Sequence, residues 1–424
     1  MPIHTDIVCF SCGCLCDDLV VETADDQILQ VTGACSLGAG LFQQFPVPEH
    51  GSFCDGNPVE HAAAISTAVQ ILQNSRAPLI FGMQSTATDG QRQAIELAET
   101  IGAVIDTAGS PLTRATMTAM QQVGMSTCTL GEVRQRADLV IFWGADPQRT
   151  HPRLIDRLCG EGPTEFLPNG RNDRTLVGVT AHQTATDVAA DITISLPAAQ
   201  NAAAIAALRQ WLRNPDWQPE GTMAFPVKAL HQLAMRMTSA RYGVLFFGTD
   251  FVQGNDAVRN VTTLLQLVTE LNAFTRFSAR PLTNPGAEQV LTWQTGFPFA
   301  VNFQHGYPLY QPGEFSAEEL LVRREVDGCI LIGSNCLANF SPAALNTLQT
   351  IPTIVIDPPR ITCPFTSQVR FVCAHPGVHS SGTAYRLDGV ALPLRQLVNS
   401  CLPPAESILR ELRECFLTTA ALVE

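Results

Sequence analysis

Five cysteines close together near the N-terminus are the residues best suited to bind a metal. Cys9, Cys12 and Cys16 are spaced as C-x2-C-x3-C in VCFSCGCLCDD, Cys14 lies among them, and Cys35 follows in the segment GAC. Four thiolates brought to one point are the usual protein ligands of an iron–sulfur cluster or a structural zinc ion. The close-set trio costs little loop entropy to assemble, and Cys35 closes one modest loop. The spacing therefore predicts a metal site without deciding the metal.

A metal-free interpretation of the same cysteines stays open, because buried free cysteine is a common small core residue. In an extended segment Cys12, Cys14 and Cys16 would share one face, which makes Cys14 an alternative ligand. The segment MPIHTDIVCF lacks both the positive charge and the apolar run of a secretory signal. We therefore expect a cytoplasmic chain whose thiols stay reduced, which favours a metal over disulfides.

The composition narrows the class of protein. A chain of 424 residues is too long for a single core, and its hydrophobic content of 46% is ample for several. Charged residues make up only 15%, against about a quarter in typical domains, which favours a subunit covered by partners. The net charge of −13 and the lack of a basic stripe argue against nucleic acid. The apolar runs LVIFWG and CILIG have the length of strands, so no membrane span is expected.

Alternating apolar strands and helices predict the α/β class. Runs such as APLIFGM, ADLVIFWGADP, GVLFFGTD and VDGCILIGSNC are unbroken and apolar, and helical segments at 59–73, 90–101 and 256–271 separate others like them. Such runs are typical of parallel sheets covered on both faces. We predict a small N-terminal cysteine-rich unit plus two related parallel-sheet α/β domains, without a C-terminal β-barrel. The predicted ranges are 1–55, 56–198, and 199–424 with a C-terminal extension.

The two predicted α/β domains repeat one pattern. ADLVIFWGADP and VDGCILIGSNC each have an acidic residue, a buried strand and a glycine turn, and TLVGVT or TIVID follows as the next strand. Ligands of open α/β sheets bind at the carboxyl ends of strands, which places Gly144 and Gly333 where phosphates would approach. Glycine after a strand is also ordinary turn chemistry, so ligand binding is one of two interpretations.

Together these segments resemble the B subunit of formylmethanofuran dehydrogenase, a member of the molybdopterin oxidoreductase superfamily. The resemblance covers nearly the whole chain and rests on CFSCGCLCDD at 9–18, TLGEVRQRADLVIFWGADP at 129–147, HPR at 151–153 and HSSGTAYRLDG at 379–389. By pattern the chain is most similar to the B subunits of bacterial formyltransferase/hydrolase complexes. Those complexes make formate rather than run a tungsten or molybdenum redox reaction.

The resemblance implies two cofactors. The archaeal enzymes hold a [4Fe–4S] cluster through four N-terminal cysteines, which Cys9, Cys12, Cys16 and Cys35 match. They bind a bis-pterin guanine dinucleotide at two strand ends, and the matching positions are Gly144, Asp146, Gly333 and Asn335. An acidic residue after the following strand meets the guanine; Asp357 fits this role in the second half, whereas Thr180 stands in the first.

The chain departs from the family pattern at the redox metal. The family holds molybdenum or tungsten through a cysteine in a V-C-H-G-P-like segment, and the corresponding segment here is DTAGSPLTRATM at 106–117. It contains neither cysteine nor histidine, and Leu112 or its neighbour occupies the ligand position. Leucine cannot replace a soft thiolate, although Ser110 lies close and serine ligates molybdenum in some enzymes. We therefore expect no molybdenum- or tungsten-pterin cofactor and at most one [4Fe–4S] cluster.

These observations lead to one functional hypothesis and two alternatives. We expect a non-redox, architectural subunit that holds the hydrolase, formyltransferase and C-type subunits of one complex, with its own catalytic activity lost. That complex would convert a formyl-tetrahydropterin to formate through a formylated furan arm in one-carbon metabolism. The first alternative is the catalytic molybdenum- or tungsten-pterin subunit of formylmethanofuran dehydrogenase. A free-standing zinc protein would have only the cysteine cluster in its favour.

Overall fold

A computed structural model describes residues 2–42, 51–254, 256–359 and 361–421 of the chain. The strands of the described residues are, in chain order, Ile3–Ile7 (β1), Leu19–Ala24 (β2), Gln27–Thr32 (β3), Ser52–Cys54 (β4), Asn57–Pro58 (β5), Pro78–Gly82 (β6), Val104–Thr107 (β7), Leu139–Trp143 (β8), Thr175–Thr180 (β9), Ile192–Ser195 (β10), Tyr242–Phe247 (β11), Arg276–Pro281 (β12), Val301–Asn302 (β13), Leu309–Tyr310 (β14), Gly328–Ile332 (β15), Thr353–Asp357 (β16), Val369–Val372 (β17), Gly382–Tyr385 (β18) and Ala391–Leu394 (β19).

The α-helices alternate with these strands over most of the chain. They are Ser36–Phe42 (α1), His61–Asn74 (α2), Thr88–Ile101 (α3), Pro111–Val123 (α4), Leu130–Arg136 (α5), Pro147–Thr150 (α6), Leu154–Cys159 (α7), Ala185–Ala189 (α8), Asn201–Arg213 (α9), Val227–Ser239 (α10), Ala257–Leu271 (α11), Gly286–Thr295 (α12), Ala317–Arg323 (α13), Pro342–Leu348 (α14) and Ala405–Ala420 (α15). The helices predicted at 59–73, 90–101 and 256–271 correspond to α2, α3 and α11.

The N-terminal unit is a small antiparallel sheet in the order β1-β2-β3, followed by α1. In β2 buried side chains alternate with half-buried ones, so Leu19, Val21 and Thr23 face inward. This is the pattern of an antiparallel sheet with one face on the core. The segments DLVVET and QILQVTG of the predicted N-terminal unit supply β2 and β3.

Two parallel sheets form the body of the protein. The first has five strands in the order β10-β9-β8-β11-β12, all parallel. The second has nine strands in the order β14-β13-β7-β6-β15-β16-β17-β4-β5. Five of these strands are parallel to one another, namely β7, β6, β15, β16 and β17. Antiparallel strands extend the sheet at both edges. The predicted α/β class with parallel sheets is confirmed.

The central strands of both sheets are buried along their whole length. Every residue of β8 and β15 is buried, as expected for parallel strands covered by helices on both faces. One face of the five-stranded sheet packs under α4, α9, α10 and α11, with Trp143 and Trp211 among the largest buried side chains. The opposite face packs against the cysteine segment, because Cys9, Cys14 and Cys16 share an apolar cluster with Val140 and Phe142.

The sheets do not follow the predicted division at 198/199. The five-stranded sheet joins β8, β9 and β10 to β11 and β12 from beyond that boundary, and the nine-stranded sheet takes strands from both sides as well. The N-terminal boundary at 55 falls inside the β4–β5 hairpin, which belongs to the edge of the nine-stranded sheet. Consecutive ranges cannot describe these units, because the chain passes between the sheets several times. Over the described residues, no helix is long and apolar enough to cross a membrane.

Candidate functional site

The cysteine segment forms a tight loop against the five-stranded sheet. The Cys9 amide donates to the Cys16 carbonyl at 2.8 Å, which closes the loop, and the Leu15 amide donates to the Cys12 carbonyl at 3.2 Å. Leu15 has a φ of 39°, in the left-handed region that a turn of this kind requires. Cys9, Cys14 and Cys16 are buried, whereas Cys12 is half-buried. The backbone thus places the trio around one small volume.

The four predicted ligands are neighbours in the structure. Burial, together with smaller contributions from the nearby charges of Cys12, Cys16 and Cys35, raises the pKa of the Cys9 thiol to about 12. The fourth thiol belongs to Cys35, which directly precedes α1 and whose sulfur accepts a hydrogen bond from the Gly38 amide of that helix at 3.5 Å. A Cβ at position 38 would lie 3.0 Å from the Cys9 sulfur and 3.8 Å from the Cys35 sulfur. Glycine at this position therefore allows the helix to bring Cys35 to Cys9.

The Cys14 thiol contacts the side chain of Cys12. A hydrogen bond from the Cys14 side chain lowers the pKa of Cys12 to about 7, and the same contact, with burial, raises the pKa of Cys14. The C-x2-C-x3-C pattern makes Cys14 a bystander; the alternative assumes an extended segment, whereas the structure has a turn here. The contact of Cys14 with Cys12 still leaves both interpretations open.

A zinc ion and an iron–sulfur cluster require different spacings between their sulfur ligands. In the part of the chain that the structure describes, no three His, Cys, Asp or Glu side chains converge as one ion requires. A single zinc ion needs its sulfurs at about 2.3 Å from a common point. An iron–sulfur cluster takes each thiolate at a separate iron, so its ligands stand further apart. Of the four predicted ligands, Cys9 and Cys16 are buried and Cys12 and Cys35 are half-buried, and a [4Fe–4S] cluster held by them stays a prediction.

The strand-end glycines predicted to face phosphates are both in the left-handed region. Gly144 follows β8 with a φ of 59°, and Gly333 follows β15 with a φ of 85°. A Cβ at Gly144 would lie 2.6 Å from the Asp250 Cβ, and one at Gly333 would lie 2.2 Å from the Ser85 hydroxyl. Packing and backbone geometry therefore require both glycines independently of any ligand.

In the second half the predicted pterin-side residues border a cavity. Asn335 lines a cavity of about 430 Å³ that also meets Phe10 and Ser11 of the cysteine loop and Gln84 of the turn after β6. Asp357 lies fully buried behind it and accepts hydrogen bonds from the Ser334 amide at 2.7 Å and hydroxyl at 2.6 Å. Burial raises the pKa of Asp357. The structure therefore brings the cysteine loop and the end of β15 to one cavity.

In the first half the matching carboxylates bind protein groups. Asp146 accepts hydrogen bonds from the Thr186 amide at 3.2 Å and hydroxyl at 2.6 Å. Thr180, which stands where the family has an acid, donates through its hydroxyl to Asp187 at 3.1 Å. Sequence reasoning missed Asp187, although its place three residues after Thr184 matches a helix capping box. The Asp187 carboxylate therefore lies beside Thr180, where the family has an acidic residue, but it comes from α8 rather than from the end of β9.

The segment 106–117, which stands for the metal-binding segment of the family, forms the start of α4. Ser110 is the N-cap, and its hydroxyl accepts a hydrogen bond from the Thr113 amide at 3.2 Å. Leu112 is 1% exposed and packs in the apolar cluster with Trp143. Arg114 forms an ion pair with buried Asp106 at 2.9 Å. None of these side chains is arranged as a ligand for a soft metal, and Ser110 would have to leave its cap to become one.

A buried carboxyl group that sequence reasoning missed lies against the same segment. Glu288 of α12 is fully buried, and its Oε1 accepts a hydrogen bond from the Gln84 side chain at 3.1 Å. A Cβ at Gly109 would lie 2.3 Å from this oxygen. The Thr107 hydroxyl lies beside the Glu288 carboxyl, and its hydrogen bond lowers the pKa of Glu288 by less than burial raises it. Burial raises the pKa of Glu288 to about 7.

Comparison with known proteins identifies relatives over nearly the full chain. The B subunit of the tungsten-containing formylmethanofuran dehydrogenase 2 of Methanocaldococcus jannaschii is 35% identical over 96% of this chain and 96% of its own. The protein of the same name from Methanococcus maripaludis is 30% identical over 94% and 95%. The B subunit of the formyltransferase/hydrolase complex of Methylorubrum extorquens is 27% identical over 66% of this chain and 73% of its own. No family model matches the chain.

Solved structures share the fold. The crystal structure of the Methylorubrum extorquens formyltransferase/hydrolase complex with methylofuran matches 87% of this chain and 99% of its own, with a TM-score of 0.73 and 24% identity. Acetylene hydratase of Pelobacter acetylenicus matches 97% of this chain and 69% of its own, with a TM-score of 0.66 and 13% identity. The resemblance inferred from the motifs is confirmed by the identity and coverage of the relatives. The chain belongs to the family of formylmethanofuran dehydrogenase B subunits.

Proposed function

We propose that this chain is a non-redox, architectural subunit of a heteromeric formyltransferase/hydrolase complex. The complex would move a formyl group from a tetrahydropterin carrier onto a furan arm and hydrolyse it to formate. The chain would hold the hydrolase, formyltransferase and C-type subunits in place. The observation that carries this proposal is the segment 106–117, in which the position of the redox-metal thiolate is taken by Leu112 or its neighbour.

The local structure of that segment supports the proposal. Leu112 is buried in the core of the five-stranded sheet, and Ser110 is engaged in capping α4. Molybdenum and tungsten sites of this superfamily need a soft or strongly donating protein ligand at this point. The carboxylate of Asp146 is engaged with Thr186. The low charged content of 15% also supports a subunit whose surface partners cover.

We further propose that Cys9, Cys12, Cys16 and Cys35 hold one [4Fe–4S] cluster. In a non-redox subunit its role would be to fasten the N-terminal unit to the five-stranded sheet, because the free energy of metal binding is then free energy of folding. The proximity of the four thiols and the small residue at Gly38 support this assignment.

The alternative is the catalytic tungsten- or molybdenum-pterin subunit of a formylmethanofuran dehydrogenase. One observation favours it: the chain is 35% identical over 96% of its length to a tungsten-containing relative, against 27% over 66% to the relative from the formyltransferase/hydrolase complex. The retained cavity of about 430 Å³ beside Asn335 is also compatible with a bound cofactor. The missing thiolate ligand is stronger evidence than overall sequence identity, because sequence identity reflects the shared fold, whereas the metal ligand determines the chemistry.

Metal and pterin analysis of the complex, purified anaerobically with its native partners, separates these two functions. The architectural proposal predicts iron without molybdenum, tungsten or extractable pterin, together with formate production from the formyl-tetrahydropterin. About one tungsten or molybdenum per chain would overturn it in favour of the dehydrogenase. Zinc in place of iron would retain the architectural role and overturn the cluster.

A further inference from the structure

Two arginines, Arg153 just before α7 and Arg157 in its last turn, bind the end of the cysteine loop. Arg153 donates to both carboxylate oxygens of Asp18 at 2.6 Å. Arg157 donates to Asp18 at 2.5 Å and to Asp17 at 2.5 Å. Asp17 and Asp18 directly follow Cys16 in the chain. Paired guanidinium–carboxylate contacts fix both distance and orientation, so the two arginines determine where Cys16 lies.

The same guanidinium groups also lie close to sulfur. Arg153 shares a hydrogen bond with the Cys16 side chain. Arg157 also lines a cavity together with Cys14 and Asp17. Arg153 precedes α7 and Arg157 lies within it, so one short helix of the sheet body places both charges beside the loop.

We propose that Arg153 and Arg157 are positioning residues that hold the Cys16 corner of the iron–sulfur cluster and offset its negative charge. This inference rests on the proposed cluster and extends it to the residues that control its reduction potential. Reduction adds one electron to an already anionic centre, so a nearby positive charge stabilises the reduced form. Asp18 has the opposite effect, because its carboxylate is negative and neutralises part of the arginine charge.

This assignment predicts potential shifts of opposite sign from the two ends of one ion pair. Arg153→Gln removes a positive charge and should lower the potential, whereas Asp18→Asn removes a negative charge and should raise it. Loss of Arg153 should change the ratio of reduced to oxidised cluster on the order of tenfold at fixed potential, which is about 59 mV for a one-electron couple. The shift from Asp18 should be smaller, because its side chain is about half exposed and solvent screens it.

The experiment is a dithionite titration of the purified complex, followed by electron paramagnetic resonance and by iron content. Arg153→Lys keeps the charge and should retain a potential close to wild type, which separates charge from shape. Arg209→Gln is the matched control, because it breaks an arginine–carboxylate pair between α9 and α11, which cover the other face of the five-stranded sheet from the cysteines.

Each outcome decides the inference. Opposite shifts at wild-type iron content support it. Shifts of the same sign, or equal loss of iron from both variants, would reveal a purely structural ion pair and overturn it. Unchanged potentials with the cluster intact would overturn this inference alone. A wild-type complex without iron would overturn the proposed cluster together with it.

Discussion

The Glu288→Gln variant tests whether the fully buried carboxyl behind the segment 106–117 is a neutral acid. Burial raises the pKa of Glu288 from the ordinary value of 4.5 to about 7. Glutamine has the shape of the protonated acid and can still accept the hydrogen bond from Gln84. The substitution therefore removes ionisation while keeping the packing of α12 against Gly109.

The sign of the effect follows from proton binding. The folded state holds the Glu288 proton more tightly than the unfolded state, so wild-type stability falls as the pH rises from about 4.5 through about 7. Each pH unit is worth about 1.4 kcal/mol, so the whole effect is about 3 kcal/mol. The variant lacks this loss. Relative to wild type, it should gain about 3 kcal/mol between pH 4.5 and pH 8.

Calorimetric melting of both proteins across this pH range measures the difference. For a chain of 424 residues the unfolding entropy is about 0.9 kcal/mol per kelvin, so 3 kcal/mol corresponds to a Tm difference of about 3–4 °C. Glu99→Gln, on the exposed face of α3, is the control and should show no such pH-dependent difference. A Tm difference between Glu288→Gln and wild type that is the same at pH 5 and pH 8 would refute the reasoning.

Three further predictions address the proposed function. Alanine at both Asp146 and Asn335 should leave formate production by the assembled complex near the wild-type rate, because the proposed function assigns them no cofactor; a large loss with the complex still intact by gel filtration would contradict this. Cys35→Ser should remove most of the iron and the visible absorption, whereas Cys54→Ser, outside the cluster, should retain both; equal iron in the two variants would exclude Cys35 as a ligand. Leu112→Cys should not confer tungsten or molybdenum binding measured by elemental analysis, because the side chain points into the apolar core; tungsten uptake would show that the site is only one thiolate short of the dehydrogenase.

The strands could be predicted because local signals determine them. The runs around Leu139–Trp143 and Gly328–Ile332 are unbroken and apolar, which only a strand covered on both faces explains at that length. The assignment of strands to sheets could not be predicted. Strand β8 pairs with β11, which lies beyond β9, β10 and several helices in the chain. Such pairings depend on long-range packing, and consecutive domain ranges are the wrong description when a chain crosses between sheets.

The cysteine neighbours could be predicted from spacing, whereas the groups that surround them could not. Cys9, Cys12 and Cys16 lie within one loop, so their proximity is local. Arg153 and Arg157 come from the distant helix α7, and no local pattern links them to the residues after Cys16. The start of α4 did carry a local signal, since serine followed by proline at 110–111 is a typical N-cap and first helical residue.

Under the proposed function, the strand-end glycines would explain how overall similarity to the tungsten-containing relatives can persist in a chain without the redox metal. A side chain at Gly144 would collide with Asp250, and one at Gly333 would collide with Ser85, so both are required by the packing of the sheets. Asp357 is likewise held by Ser334 in the buried turn after β15. These motif residues stabilise the fold whether or not a pterin is bound. A thiolate ligand has no such second role, because the start of α4 is stabilised by the Ser110 cap and the burial of Leu112. Under the proposed function, the metal ligand would be the position at which the chain changes function while the motif around it stays intact.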